Sequence, residues 1–321
     1  MKKLVDKWGR KIDYLRISVT DRCNLRCQYC MPEEGIDVKD HKDILSYEEI
    51  IKIVKVGKKL GIKKVRITGG EPLVRLDIED LISSLDKLGL SDISMTTNGV
   101  LLSKKAQTLK EAGLDRVNIS LDSLKKDNYF EITRRDQFKD VMKGINKSLD
   151  VDFKPVKLNV VVMKDINDDE VFDFARLTLD KPLHVRFIEY MPLGGNVDSS
   201  EYINMKELKN EISDELSLVK TKISGNGPAK YYKIPGGKGS IGFISPISEH
   251  FCSSCNRFRL TADGKFRPCL AKDLEVQIPK DLSEENIVKA YKKALAIKPI
   301  GHNLNFNDEA QRERTMSQIG G

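Results

Sequence analysis

The chain has 321 residues, 40 % of them hydrophobic and 32 % charged, with a formal net charge of +7. That composition describes a globular protein able to build a sizeable core, as one large α/β domain of the barrel type or as two smaller domains. It holds no window near the roughly 18 apolar residues of a membrane span, and no apolar stretch follows the charged residues 1–11, so a cytoplasmic protein without membrane contact is expected.

From residue 14 to about 190 one theme recurs: a short β-rich run, a turn, then an amphipathic helix. The pattern predicts strands over 15–20, 65–68, 93–97, 116–121, 156–163 and 184–190. Helices are predicted over 47–60, 78–88, 104–112, 138–149 and 168–179, with Ser46 and Glu49 as a capping box and Gly61, Gly89 and Gly113 as helix ends. After residue 195 the texture changes to a helix over 205–213, β-like runs over 216–223, 229–234 and 240–247, a hairpin turned at Asp263-Gly264, and a last helix over 284–296.

Strand parity decides the architecture. Leu15, Ile17 and Val19 face one way in the first strand, and Arg16, Ser18 and Thr20 the other; the later strands repeat the division. A parallel sheet covered on both faces would read as almost continuously apolar, and here one face is consistently polar or charged. An open six-stranded barrel with a wet lumen reconciles the two. The expected fold is α/β: a partial (βα)6 TIM-type barrel over residues 1–195, with a β-rich and helical region over 196–321 closing the lumen. Inward-pointing Arg16, Lys64, Arg66, Lys157 and Arg186 call for a polyanion to meet them.

All six cysteines fall in two triplets, Cys23-x3-Cys27-x2-Cys30 and Cys252-x2-Cys255-x13-Cys269. Disulfides are not expected in a cytosolic chain of this length. Three thiolates in an eight-residue loop after the first strand can hold three irons of a [4Fe–4S] cube and leave the fourth open, whereas a structural zinc site takes four ligands. At the second triplet His250 keeps a Cys3His zinc site open as an alternative.

The cysteine loop, followed one strand later by Gly69-Gly70-Glu71-Pro72, resembles the radical S-adenosylmethionine superfamily. Within it the stretch from His250 through Cys252, Cys255 and Cys269 resembles the GTP 3′,8-cyclase family, which performs the first step of molybdenum cofactor biosynthesis. Trp8-Gly-Arg, Asp21-Arg-Cys-Asn, Thr96-Thr-Asn-Gly, Ser120-Leu-Asp, Thr133-Arg-Arg-Asp and the terminal Gly-Gly carry the likeness along almost the whole chain. A glycine common in the family before the fifth strand is absent from residues 149–155.

The resemblance implies two [4Fe–4S] clusters, S-adenosylmethionine and GTP. It implies that Tyr29, Gly70, Ser120 and Met191 contact S-adenosylmethionine. It implies that Arg16, Lys64, Arg66, Thr97, Lys157, Arg186, Arg257 and Arg259 hold GTP, that the tail Gly320 and Gly321 enters the active site, and that Arg16 assists the final reduction. A flavodoxin- or ferredoxin-like reductant, a downstream cyclic pyranopterin monophosphate synthase and a homodimer are the partners it allows, and nucleic acid is not among them. Two rivals stand beside it: a radical peptide-modifying enzyme with an auxiliary cluster, and a basic zinc module that binds nucleic acid. The first usually carries more C-terminal cysteines; the second predicts basic residues on one outer face.

Overall fold

A computed structural model describes residues 2–193, 198–223, 227–304, 306 and 314–320. Six strands, β1 (Tyr14–Ser18), β2 (Lys64–Thr68), β3 (Asp92–Thr97), β4 (Arg116–Ser120), β5 (Val156–Val162) and β6 (Leu183–Glu189), pair side by side in sequence order and in parallel. The crossovers carry α1 (Tyr47–Lys59), α2 (Ile78–Asp86), α3 (Leu102–Glu111), α4 (Lys126–Thr133) with α5 (Phe138–Asp150), and α6 (Val171–Asp180). The capping box at α1 forms as expected, Ser46 Oγ accepting from the Glu49 amide and Glu49 reaching back to the Ser46 amide.

Helix α4 was not anticipated, because Lys125 offers no side-chain cap and only Tyr129, Ile132 and Thr133 of its eight residues are buried. Helix α6 starts three residues later than its periodicity suggests. Its forerunner, residues 168–170, is a 3-10 turn that turns the buried Glu170 carboxylate to Ser123 Oγ and the Leu124 amide.

The C-terminal half adds α7 (Met205–Leu216), β7 (Val219–Thr221), β8 (Lys230–Lys233), β9 (Ser240–Ile244), β10 (Arg257–Leu260), β11 (Lys265–Arg267), β12 (Val276–Gln277), α8 (Glu284–Ala296) and the short α9 (Met316–Ile319). These strands do more than close the lumen. Strand β10 pairs parallel with β1 and β9 parallel with β6, so the barrel sheet is extended at both edges. Beyond them the antiparallel pairs β10–β11–β12 and β9–β8–β7 cover what would be bare parallel edges.

One face of the sheet is the core. Leu15, Ile17, Val65, Ile67, Met95, Val117, Ile119, Leu158, Val185 and Phe187 are fully buried beneath the helices, alongside Ile50, Ile53 and Val54 of α1. Each such side chain contributes about 1.5–3 kcal/mol through burial. The other face carries the charged and polar residues of the lumen. No helix among the described residues is long and apolar enough to cross a membrane.

Candidate active site

The first cysteine triad sits in the loop leaving β1. Cys30 and Met31 both donate backbone N–H groups to the Cys27 carbonyl, at 2.9 and 3.1 Å, which coils the loop. Arg134 holds it from outside, donating to the carbonyls of Arg26 and Met31 at 3.2 Å each. That gives Thr133-Arg-Arg-Asp136 a positioning role that its residue types alone did not reveal. The Cys23 sulfur accepts from the Leu25 amide at 3.5 Å and from Asn98 Nδ2 at 3.9 Å.

The Gly69-Gly70-Glu71-Pro72 turn packs directly on this loop. A Cβ on Gly70 would lie 2.4 Å from the Arg22 carbonyl oxygen, so only glycine fits there. Glu71 is buried and accepts from the Asn98 amide at 2.6 Å, from Thr97 Oγ1 at 2.8 Å and from the Leu73 amide at 2.9 Å. Burial pushes its carboxyl up to about 7 against the pull of those donors. Thr97 thus lines the cavity with its hydroxyl already given to Glu71. Its neighbour Thr96 presents a buried Oγ1 with no partner among the described residues.

Tyr29 Oη donates to Asp122 Oδ2 at 2.7 Å, and the Val161 amide donates to Asp122 Oδ1 at 2.8 Å. Burial pushes Asp122 up to about 6. Asp122 and Glu71 form an acidic flank to the first triad. Its thiols are pushed up by burial first and by neighbouring thiolates and carboxylates next, Cys23 to about 11 and Cys30 to about 12.

Across the lumen the arginines form a row. Arg16 on β1 is in register with Arg259 on β10 and with Arg66 on β2. Further round, Arg186 donates to Asn118 Oδ1 at 2.7 Å and also to Asn159, while its Nε has no partner. Arg66, Arg186 and Arg259 are at most 8 % exposed, yet none of the three has a carboxylate ion pair among the described residues. Burial lowers Arg66 to about 10 and Arg259 to about 9, the latter also through repulsion from Arg257 and Arg267. Lys157, buried beside Arg186, Arg116 and Arg66, falls to about 6, through burial first and those guanidinium groups next. Lys64 is half-buried at the mouth of β2, opposite Tyr14 and Asp92.

The second triad closes the opposite wall. All six cysteines, together with Arg16, Arg66, Arg186, Arg257 and Arg259, line one cavity of about 340 Å³, and so do Tyr29, Gly70, Ser120 and Met191. Burial pushes the Cys255 thiol up, but Arg257 and Lys298 outweigh it and hold the thiol at about 7. The tail reaches the same cavity: Ile319 is buried, and Arg259 donates to the carbonyls of Ile319, at 3.3 Å, and Gly320. Gly321 lies outside the described residues.

Both triads fit iron–sulfur clusters. All six thiols are unpaired. Among the described residues the only three His, Cys, Asp or Glu donors within 4.8 Å of one another are His250, Cys252 and His302. Neither triad therefore gathers its three sulfurs as closely as one tetrahedral zinc requires, with its Zn–S bonds of about 2.3 Å, while a four-iron cube spans a wider set.

Residues that the spacing of motifs did not single out are Glu71, Asn98, Asp122, Tyr14, Arg10 and Lys298. Glu71, Asn98, Asp122 and Arg10 lie inside recognisable motifs, so the signal was present but without a role. Tyr14 extends the inward parity of β1 by one residue.

The comparisons agree with this geometry. A model of the Radical SAM superfamily matches residues 17–178, and one described as Molybdenum Cofactor Synthesis C matches residues 183–304. The chain is 56 % identical to a GTP 3′,8-cyclase of Petrotoga mobilis over 99 % of this chain and all of that one. It is 49 % identical to that of Listeria monocytogenes over the full length of both. In fold it resembles Streptococcus suis SuiB bound to S-adenosylmethionine, with a TM-score of 0.63 at 16 % identity over 88 % of this chain and 67 % of that one. It also resembles anSMEcpe with bound AdoMet, with a TM-score of 0.57 at 18 % identity over 91 % of this chain and 79 % of that one. With an acid-flanked cysteine triad, an arginine-lined lumen and a second triad on a single cavity, the chain belongs to the GTP 3′,8-cyclase family of the radical SAM superfamily.

Proposed function

We propose that this chain converts GTP into its 3′,8-cyclised dihydro isomer, the first step of molybdenum cofactor biosynthesis, with S-adenosylmethionine at the first triad and the guanine end of GTP at the second. The observation that carries this reading is the arginine set between the triads. Buried guanidinium groups without carboxylates are expensive to maintain unless an anion arrives. A nucleoside triphosphate brings several phosphate oxygens, which arginine forks bind bidentately.

Arg66, Lys157 and Arg186 hold the triphosphate in this proposal, with Lys64 at its outer end and Arg16, Arg257 and Arg259 nearer the base. When bound, the first cluster and S-adenosylmethionine supply a carbon radical able to remove the ribose 3′ hydrogen. The protein's part is placement. Tyr29, fixed by Asp122, together with Gly70, Ser120 and Met191 holds the S-adenosylmethionine, and the buried tail at Gly320 keeps water from the lumen. Arg16, next to both neighbouring arginines, assists the closing electron and proton transfer. Thr97 acts through Glu71.

The division at residue 195, a flavodoxin- or ferredoxin-like reductant, a downstream cyclic pyranopterin monophosphate synthase and a homodimer belong to the same proposal. Inward-facing arginines argue against a nucleic-acid surface. The test is turnover by the reduced, reconstituted protein with S-adenosylmethionine and GTP. One 5′-deoxyadenosine per molecule of a GTP isomer is expected; 5′-deoxyadenosine with unchanged GTP overturns the assignment.

A further inference from the structure

The segment after α8 runs behind the second triad. Arg10, paired with Asp6, donates to the carbonyls of Pro299 and Ile300 at 2.6 and 2.9 Å and to that of Cys252 at 2.8 Å. It thereby ties the N-terminal turn, the triad and residues 299–300 together.

Lys298 stands at the head of this strap and is 2 % exposed. Its Nζ lies 2.6 Å from the Pro268 carbonyl oxygen, 2.9 Å from that of Arg257 and 3.6 Å from Cys255 Sγ. A lysine ammonium has three N–H donors and no acceptor, and here three acceptors meet it. The two carbonyls belong to the residue before Cys269 and to the residue two after Cys255. The side chain therefore bridges the two chain segments that carry those cysteines. It also lies over the Phe258 ring at 5.5 Å. No carboxylate forms an ion pair with Lys298 among the described residues. A buried ammonium needs a counter-charge, and the thiolates of the triad are the anions beside it.

We propose that Lys298 is a positioning residue of the second cluster: its ammonium sets the spacing of Cys255 and Cys269 and, as their counter-ion, raises the reduction potential of that cluster. This rests on reading the second triad as an iron–sulfur site. Hydrogen bonds to sulfur and local net charge are levers that set such potentials, and a fixed cation favours the form that carries the extra electron.

The test is an EPR-monitored redox titration of both clusters in the reconstituted full chain, for the wild type, Lys298→Met and Lys298→Arg. In Lys298→Met the second cluster should become harder to reduce by about tenfold in its equilibrium constant, about 59 mV for one electron. The first cluster should not move, and Lys298→Arg should recover most of the shift. An unmoved second potential in Lys298→Met overturns the proposal, as does an equal shift in both variants. If Lys298→Met loses the second cluster, a near-wild-type potential in Lys298→Arg supports the proposal, and iron loss there too overturns it. Zinc at the second triad of the wild type overturns the reading of the site itself, and this proposal with it.

Discussion

Arg259 on β10 donates to the carbonyl of Gly320, so an arginine of the lumen row anchors the chain's tail over the cavity. Gly320 has φ +71, and a Cβ there would lie 2.4 Å from Thr68 Oγ1 and 3.1 Å from Ser18 Cβ. A left-handed backbone costs a non-glycine residue about 1–2 kcal/mol, and Ser18 and Thr68 are too buried to move aside freely. Gly320→Ala should lift the tail and lower kcat/KM for GTP at least about tenfold, which is about 1.4 kcal/mol. The melting temperature and iron content should stay near wild type. Unchanged kinetics would show that the tail does not enter the site.

Lys157 gives a pH signature. Its amine is neutral above about pH 6 in the free protein because of burial and of Arg186, Arg116 and Arg66. A bound triphosphate favours the ammonium, so binding between pH 7 and 9 takes up a proton and affinity falls as pH rises, by up to about tenfold per unit. His184, which burial pushes down to about 4, stays neutral throughout that window. In Lys157→Met the slope of GTP affinity against pH from 7 to 9 should flatten. The free protein shows the opposite trend: the unfolded chain holds the lysine proton that the folded one lacks, so this residue's contribution to stability rises from about pH 6 to 10. Calorimetric titration in buffers of differing ionisation enthalpy checks the proton uptake.

Tyr14 is 1 % exposed, lines the cavity, and its hydroxyl has no partner among the described residues. Arg66 lies over its ring at 5.5 Å. A hydroxyl buried without a partner is destabilising by about 1–3 kcal/mol, while a bond to a phosphate is worth about 1.5–3 kcal/mol. Tyr14→Phe should therefore leave the free protein as stable or more so, and weaken GTP binding about tenfold. A drop in melting temperature with unchanged binding would contradict this.

Tyr29 and Asp122 act as a pair. Tyr29→Phe leaves one oxygen of a buried carboxylate without its donor, and the melting temperature should fall by an amount equivalent to about 1–3 kcal/mol. Asp122→Asn keeps the shape and should fall less, while both variants raise KM for S-adenosylmethionine. Parallel thermal scans and steady-state kinetics at saturating GTP measure the two effects. A KM that stays at the wild-type value in both variants removes Tyr29 from the S-adenosylmethionine site.

The barrel was legible because its signal is periodic. The alternation of Leu15, Ile17 and Val19 with Arg16, Ser18 and Thr20 is a local fact of the strand, and so is the capping box at Ser46 and Glu49. The pairing of β10 with β1 was not, since Arg257–Leu260 and Tyr14–Ser18 are more than 230 residues apart and either reads as an ordinary strand. The same distance hid the row of Arg259, Arg16 and Arg66, which exists only through that register. Lys298 and Arg10 were invisible for a different reason. Their partners are backbone carbonyls, which carry no side-chain signature. Thr97 misled because the strand turns at its end and hands the hydroxyl to Glu71, leaving Thr96 to face the lumen.

The most direct test of the whole account uses GTP deuterated at the ribose 3′ position, incubated anaerobically with S-adenosylmethionine and the reduced protein, with iron, sulfide and zinc assayed on the same sample. The account predicts roughly eight irons per chain, two cubes of four, and deuterium in the 5′-deoxyadenosine released. About four irons with zinc bound at the second triad, or 5′-deoxyadenosine free of deuterium, would contradict it.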